Sequence, residues 1–227
     1  MKTYFLCLFL YFFNTFTGYS QDPGLQILQT TSIQHLKGGT LLVRLESKEK
    51  KLNYLRQSLL NPDCDARCRS KKEEEIQEID QSAKRFNQTF IQAFRKHFNF
   101  CDLLFYYDKD HHALKSAGWV GNYFLTDQLS NQTARPLNPD SCYILYKDLT
   151  PESQAEGWLV QTPDGQFLGK GFPFIIENNA KTLMNYFASS DHLTKNCNYM
   201  VRKFNKQLYK FHSQAEIKKI KALEVKD

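Results

Sequence analysis

The sequence predicts an α/β or α+β domain, with a mixed sheet of about four to five strands and helices packed on it. Three observations predict it. The runs 39–45, 101–107 and 142–147 are short, rich in Leu, Val, Ile, Phe and Tyr, and bounded by turn residues, as strands are. A long stripe of apolar residues at helical spacing separates the first two runs, and strands separated by helices argue for a parallel or mixed sheet. Pro163-Asp164-Gly165 lies between two further apolar runs and marks a hairpin, because Pro presets φ and Gly accepts a positive one.

Residues 21–38 show no sustained period and read as a loose lead-in. After Gly38-Gly39 the apolar run 39–45 is the first strand. Ser47 can cap a helix reaching about residue 60, with Leu52, Leu55 and Leu59 at steps of three and four, and Asn61-Pro62-Asp63 ends it. From 65 to about 98 the apolar residues Ile76, Ile79, Ala83, Phe86, Phe90, Phe94 and Phe98 repeat every three or four positions with charges between them. That stripe is the core-facing side of an amphipathic helix. The run 101–107 lacks alternation, the pattern of a strand covered on both faces. Residues 108–117 fit a short helix, 118–125 stays open between strand and turn, and 127–140 collects Ser, Asn, Pro and Asp as a surface loop. The third strand is 142–147. Runs at 158–161 and 166–168 form the hairpin arms, and Pro173 confines 171–176 to an edge strand or an extended segment. A last helix carries Val201, Phe204, Leu208 and Phe211. The domain is expected to span 39–213, followed by a lysine-rich tail at 214–227 that frays.

Residues 1–20 read as an export signal. Lys2 supplies the positive start, residues 4–13 the apolar run, and Gly18 and Ser20 the small residues before a cut at Gln21. The run is shorter than the ~18–20 apolar residues a bilayer requires, and no later segment approaches that length. The mature chain is therefore expected to have no transmembrane segment and to be periplasmic or secreted. Of 227 residues, 207 would remain, enough to bury roughly 70% of the unfolded surface in one domain. At 41% hydrophobic and 24% charged, with ten Gly and seven Pro, the chain is neither disordered nor collagen-like. Removing Lys2 leaves 29 Lys and Arg against 24 Asp and Glu, a mild +5. The charges are mixed, as in Lys71-Lys72-Glu73-Glu74-Glu75, which argues against nucleic acid and leaves a protein or a cell-envelope component as the expected partner. Lys203, Lys206, Lys210, Lys218, Lys219 and Lys221 read as the solvated face of the last helix.

Five cysteines would remain after export, an odd number in an oxidising compartment. Cys64 and Cys68 are four apart. Both on one helix face, their Cβ atoms would stand about 5–6 Å apart, beyond the ~3.8 Å of a disulfide, so the spacing suits a metal or an unwound first turn better. Arg67 and a helix start would lower a thiol pKa, making the pair the redox candidate, although Cys-x-x-Cys is absent and a structural bridge or a pair of inert thiols is the plainer reading. Cys101 and Cys142 open the second and third strands and, if those strands are parallel neighbours, come within disulfide reach, leaving Cys197 unpaired. Asp108, Asp110 and His111 follow a buried strand, where sites collect in open α/β sheets, and offer ligands for a divalent ion; Ala113 and Trp119 stand where an EF-hand needs Gly and Glu. Adjacent His111 and His112 diverge on any regular backbone. No Gly-x-Ser-x-Gly, His-Glu-x-x-His or phosphate loop is present, and no cofactor is called for. Asn87-Gln88-Thr89 and Asn131-Gln132-Thr133 match the glycosylation sequon, the first within the long helix.

The order β-α-β-α-β-β-α resembles the thioredoxin-like fold with a long helical insertion after its first strand, a likeness of fold that carries no function. Leu41-Leu42-Val43-Arg44-Leu45, the strand at 100–107, Phe172-Pro173-Phe174 and Lys203-Phe204-Asn205-Lys206-Gln207-Leu208 together resemble an uncharacterised family of exported proteins from Bacteroidetes-type bacteria. That family has no assigned activity, so the resemblance implies a periplasmic or envelope setting only. The expected function is a non-enzymatic exported interaction or structural domain. The alternative is a thioredoxin-like thiol-redox protein using Cys64 and Cys68.

Overall fold

The structure, a computed structural model, describes residues 23–134, 136–150, 154–169, 171–177, 182, 184 and 190–224. The expected export signal at 1–20 lies outside them. The chain runs α1 (Pro23–Lys37), β1 (Thr40–Leu45), α2 (Glu49–Ser58), α3 (Ala66–His97), β2 (Asp102–Tyr107), a 3₁₀ turn (Asp108–Asp110) and α4 (His111–Ser116). It continues through β3 (Gly121–Leu125), β4 (Asn131–Ala134), a 3₁₀ turn (Pro139–Ser141), β5 (Cys142–Leu149), β6 (Glu156–Gln161), β7 (Ile175–Ile176) and α5 (His192–Glu224).

The seven strands among the described residues join one mixed sheet in the order β4-β3-β2-β1-β5-β6-β7. β1 is central and parallel to both neighbours, with Thr40 opposite Asp102 on one side and Cys142 on the other. The remaining pairs are antiparallel. Alternation along β1 divides the core. Leu41, Val43 and Leu45 meet the helices α1, α3 and α5, together with Phe105, Leu145, Trp158 and Val160. Leu42 points the other way, with Tyr106, Phe124, Cys142 and Ile144, and is covered by Leu114 of α4 and by Trp119. The helical stripe of α3 delivers an aromatic column: Phe86, Phe90, Phe94 and Phe98 contact in succession, and the buried Trp158 ring lies 4.5 Å from Phe90 and 6.3 Å from Phe86. Offset and edge-on contacts of this kind add about 0.5–1.5 kcal/mol each beyond the area they bury.

The expected α/β architecture stands, with more strands than four or five. β3 comes from the run left open between strand and turn, and β4 from the expected loop. The expected hairpin forms its turn, with Gly165 N donating to Thr162 O at 3.0 Å and Gly165 at φ +97°, but its second arm contributes a single bridge, Gln161 to Phe167. β6 pairs instead with β5 and β7. The lead-in 21–38 is not loose: it holds α1, whose Ile33 and Leu36 are fully buried. Its period is hidden because Gln29 and Ser32 share the buried face, and Gln29 Nε2 donates to Leu168 O at 2.6 Å. The tail is helical to Glu224, although burial ends at Ala215 and Ile217 and Ile220 are exposed. Among the described residues no helix is long and apolar enough to cross a membrane.

Candidate functional site

The chain leaves β1 toward α2 and α3 on one face of the sheet and leaves β2 toward α4 on the other. Departures to opposite faces open a crevice beyond the carboxyl ends of such strands. Lys48 makes the sharp exit from β1 by taking φ +56° and ψ +15°, a left-handed conformation that a residue with a side chain adopts at a cost. Two cavities flank this exit. One of about 270 Å³ lies on the β2 side, between Glu46, Ser47, Tyr107 and Lys109, under α2 and α3. One of about 550 Å³ lies on the β5 side, between Glu46, Lys48, Lys147 and Glu177, with Ile79, Ala83 and Phe86 of α3 as an apolar wall. Glu46, Ala83 and Asn87 line both.

Asn87 is 2% exposed on the core side of α3, and its Nδ2 donates to the Glu46 carbonyl at 3.0 Å. That bond ties the middle of α3 to the end of β1. The Asn87 Oδ1 has no partner among the described residues. Among the described residues the only fully enclosed polar side-chain atom lacking a partner is Gln207 Oε1, so the Asn87 oxygen opens onto the cavities. The sequon at this position cannot carry a glycan in the fold, because its asparagine is enclosed and bonded.

On the β5 side, Lys147 Nζ stands 3.0 Å from Glu177, 3.4 Å from Glu156 and 3.8 Å from Glu46. Burial works to lower the Lys147 pKa, but the three carboxylates together outweigh it and hold the value above that of an ordinary lysine. Glu177 is fixed in turn by the Trp158 indole, which donates to it at 2.7 Å. The network holds the ends of β5, β6 and β7 against the β1 exit.

The sequence-selected residues divide differently. Asp108 Oδ1 accepts from Ser47 N at 2.8 Å and Lys109 N at 2.9 Å, stitching the β1 exit to the end of β2. His111 Nδ1 lies 3.0 Å from the Tyr106 hydroxyl. Its pKa falls to about 4, first by burial and then through Arg44, His112 and Lys115. Burial raises the Asp110 carboxyl, with Glu49 and Asp108 adding to it against Lys109. Asp108, Asp110 and His111 do not converge: among the described residues no group of three or more His, Cys, Asp or Glu could hold a metal.

Cys64 and Cys68 are bonded, with Cα atoms 5.4 Å apart. Helical geometry is no obstacle, because α3 starts at Ala66 and Cys64 precedes the N-cap Asp65, whose side chain accepts from Cys68 N at 2.7 Å. The unwound first turn is the form taken. Cys68 is ten positions before Glu78, the first α3 residue that lines a cavity, about 15 Å along the helix axis, so the pair stands outside the crevice. The bridge expected between Cys101 and Cys142 does not form; both thiols are free. Their strands are not neighbours, since β1 runs between them and pairs with each. Burial pushes Cys101, Cys142 and Cys197 all up to about 12, which leaves them without thiolate at neutral pH.

Sequence reasoning missed Glu46, Asn87, Lys147 and Glu177 as neighbours. One signal was present: Asn87 falls four positions after Ala83 and three before Phe90, a polar residue inside an apolar stripe, and buried polar residues are the informative ones. No family model matches this chain, and no curated protein or solved structure matches it either.

Proposed function

We propose that the protein is an exported, non-enzymatic binding domain that receives its partner, a protein or cell-envelope component, in the crevice at the carboxyl ends of β1, β2 and β5. One observation carries this reading: the two cavities share a buried asparagine that lines both and whose amide oxygen has no partner among the described residues. Mixed charges around an apolar wall suit an extended segment bearing both polar and apolar groups. The oxidised Cys64–Cys68 pair is compatible with export, and the desolvated free thiols speak against cysteine chemistry.

The test is site-specific photo-cross-linking in the producing cell. A benzophenone side chain at Ser82, exposed on the rim of the larger cavity, should give one discrete adduct that Ala83→Trp abolishes by filling the floor. Equal labelling from a benzophenone at Lys219, on the far end of α5, would sink the reading. Export is checked on the same material, whose amino terminus should map to Gln21.

The second reading, a thioredoxin-like thiol-redox protein, is favoured by the bonded pair at the start of α3. Equilibration in glutathione buffers separates the two. Cycling of Cys64 and Cys68 near −120 to −180 mV, the range of roughly known oxidant proteins, would favour the redox protein, and a far lower potential the structural staple.

A further inference from the structure

We propose that Arg44 anchors an oxyanion-binding site on the face of the sheet opposite the two cavities, taking a carboxylate or phosphate group beside Tyr106 and Tyr146. Arg44 is the penultimate residue of the central strand and points to the face that carries Leu42, Tyr106 and Ile144. It is part-buried, and charges withdrawn from water are ordinarily paired. Yet among the described residues its guanidinium makes neither a hydrogen bond nor an ion pair. Its contact is with the Tyr146 ring, whose centroid lies 4.9 Å from Cζ. Packed against a ring face, a guanidinium keeps its in-plane N–H donors free, and that planar fork matches the two oxygens of a carboxylate or phosphate.

Two carboxylates stand near the tyrosines, and among the described residues neither pairs with Arg44. The carboxylates that press on the two tyrosines are Asp108 and Asp148, and each is taken by backbone N–H groups: Asp108 by Ser47 and Lys109, Asp148 by Leu149. The charged groups that act on His111 are basic. Arg44, His112 and Lys115 all act on His111 in the same direction, the mark of a positive local potential. The Tyr146 hydroxyl has no described partner and can donate to an anion. Tyr106 is committed to His111, which fixes the wall of the site. Position agrees with chemistry, because Arg44 stands at the carboxyl end of the parallel strands, where ligands of such sheets bind. The crevice reading concerns the other face, so the two proposals fail or stand separately.

The test uses ¹⁵N-labelled protein and follows the Arg44 Nε–Hε resonance, assigned by its loss in Arg44→Lys. Inorganic phosphate and benzoate are titrated separately against sodium chloride at matched ionic strength. A saturable shift with a midpoint of about 1–10 mM is expected from at least one of them. His111 ring signals should move with it, while the Trp158 indole N–H on the opposite face stays still. Saturation by phosphate alone identifies a phosphate site, by benzoate alone a carboxylate site, and by both a general oxyanion site. Arg44→Lys keeps the charge without the fork and should weaken the His111 response about tenfold. If neither oxyanion moves Arg44 beyond chloride, or its shift grows linearly without saturation, the site does not exist.

Discussion

Asn87 Nδ2 donates to the Glu46 carbonyl at 3.0 Å, joining the core-facing stripe of α3 to the exit of the central strand. The bond substitutes for the ladder partner that β1 loses where its pairing with β2 ends at Leu45. Asn87→Ala removes the donor and leaves the carbonyl to the cavities. The expected loss is about 1–3 kcal/mol, the usual penalty for stranding one member of a buried pair. Urea unfolding measures it; an unchanged midpoint would mean that water already serves Glu46.

Lys147 sits among three carboxylates, so its removal should cost more than a surface ion pair. Lys147→Met leaves Glu46, Glu156 and Glu177 facing one another, and about 2 kcal/mol of destabilisation is expected, below the fully buried case because Glu156 is 55% exposed. Adding Glu177→Gln should recover part of the loss, making the double variant more stable than the sum of the singles. The pH dependence has a definite sign. The folded pKa of Lys147 is raised, so its contribution is present below the ordinary lysine value and fades as pH climbs through the folded one.

His111 titrates in the opposite sense. Its pKa is about 4, lowered by burial and by Arg44, His112 and Lys115, with the Tyr106 hydroxyl on its Nδ1. Between about pH 6.5 and 4 the unfolded chain takes up a proton at this position that the fold refuses, so stability falls as pH falls through that window. His111→Gln should flatten this part of the stability profile. An NMR titration of the ring showing an ordinary midpoint near 6.5 would overturn the assignment.

The thiols separate into two classes. Cys101, Cys142 and Cys197, pushed to about 12, should resist iodoacetamide at pH 8 in the native protein, since a thiol with that pKa is about 0.01% ionised there. Cys64 and Cys68 should appear as one bridged peptide in a non-reducing map. Replacing both by Ser opens a loop of five residues, for which chain entropy gives about 2 kcal/mol. Rapid native alkylation of Cys142 would contradict the burial that defines it.

What was legible in the sequence followed from strong local signals. The α3 stripe and the apolar run of β1, interrupted only by Arg44, identify themselves, because the second half of the stripe and most of the strand are buried. β4 does not: Asn131-Gln132-Thr133-Ala134 is a polar edge strand paired on one side only. α1 was obscured by the enclosed Gln29 and Ser32. The error over Cys101 and Cys142 was topological, since two apolar runs can be read as strands without revealing that a third lies between them. Arg44, Glu46, Lys147 and Glu177 lie up to 133 positions apart, and only the strand order brings them to one end of the sheet.

Gly38 and Gly39 look equivalent in sequence and should behave oppositely on substitution. A Cβ at Gly39 would lie 1.8 Å from Ser141 O and 2.8 Å from Ser141 C, backbone atoms of the turn that leads into β5. The glycine cannot move aside, because its N–H donates to Leu36 O and its carbonyl accepts from Asp102 N, both at 3.1 Å. Gly39→Ala must therefore part β1 from β5 at their amino ends or break the junction with α1. We expect a loss of about 3 kcal/mol or more, at the upper end of overpacking costs. For a domain of this size that corresponds to a fall in Tm of about 6–12 °C. At Gly38 a Cβ meets nothing within 4 Å, and φ is not in the left-handed region. Gly38→Ala should then be neutral or stabilising by about 0.4–1 kcal/mol, through the reduced freedom of the unfolded chain. Calorimetry on the two variants side by side decides it: equal Tm values would show that β5 does not approach β1 as closely as the sheet register requires.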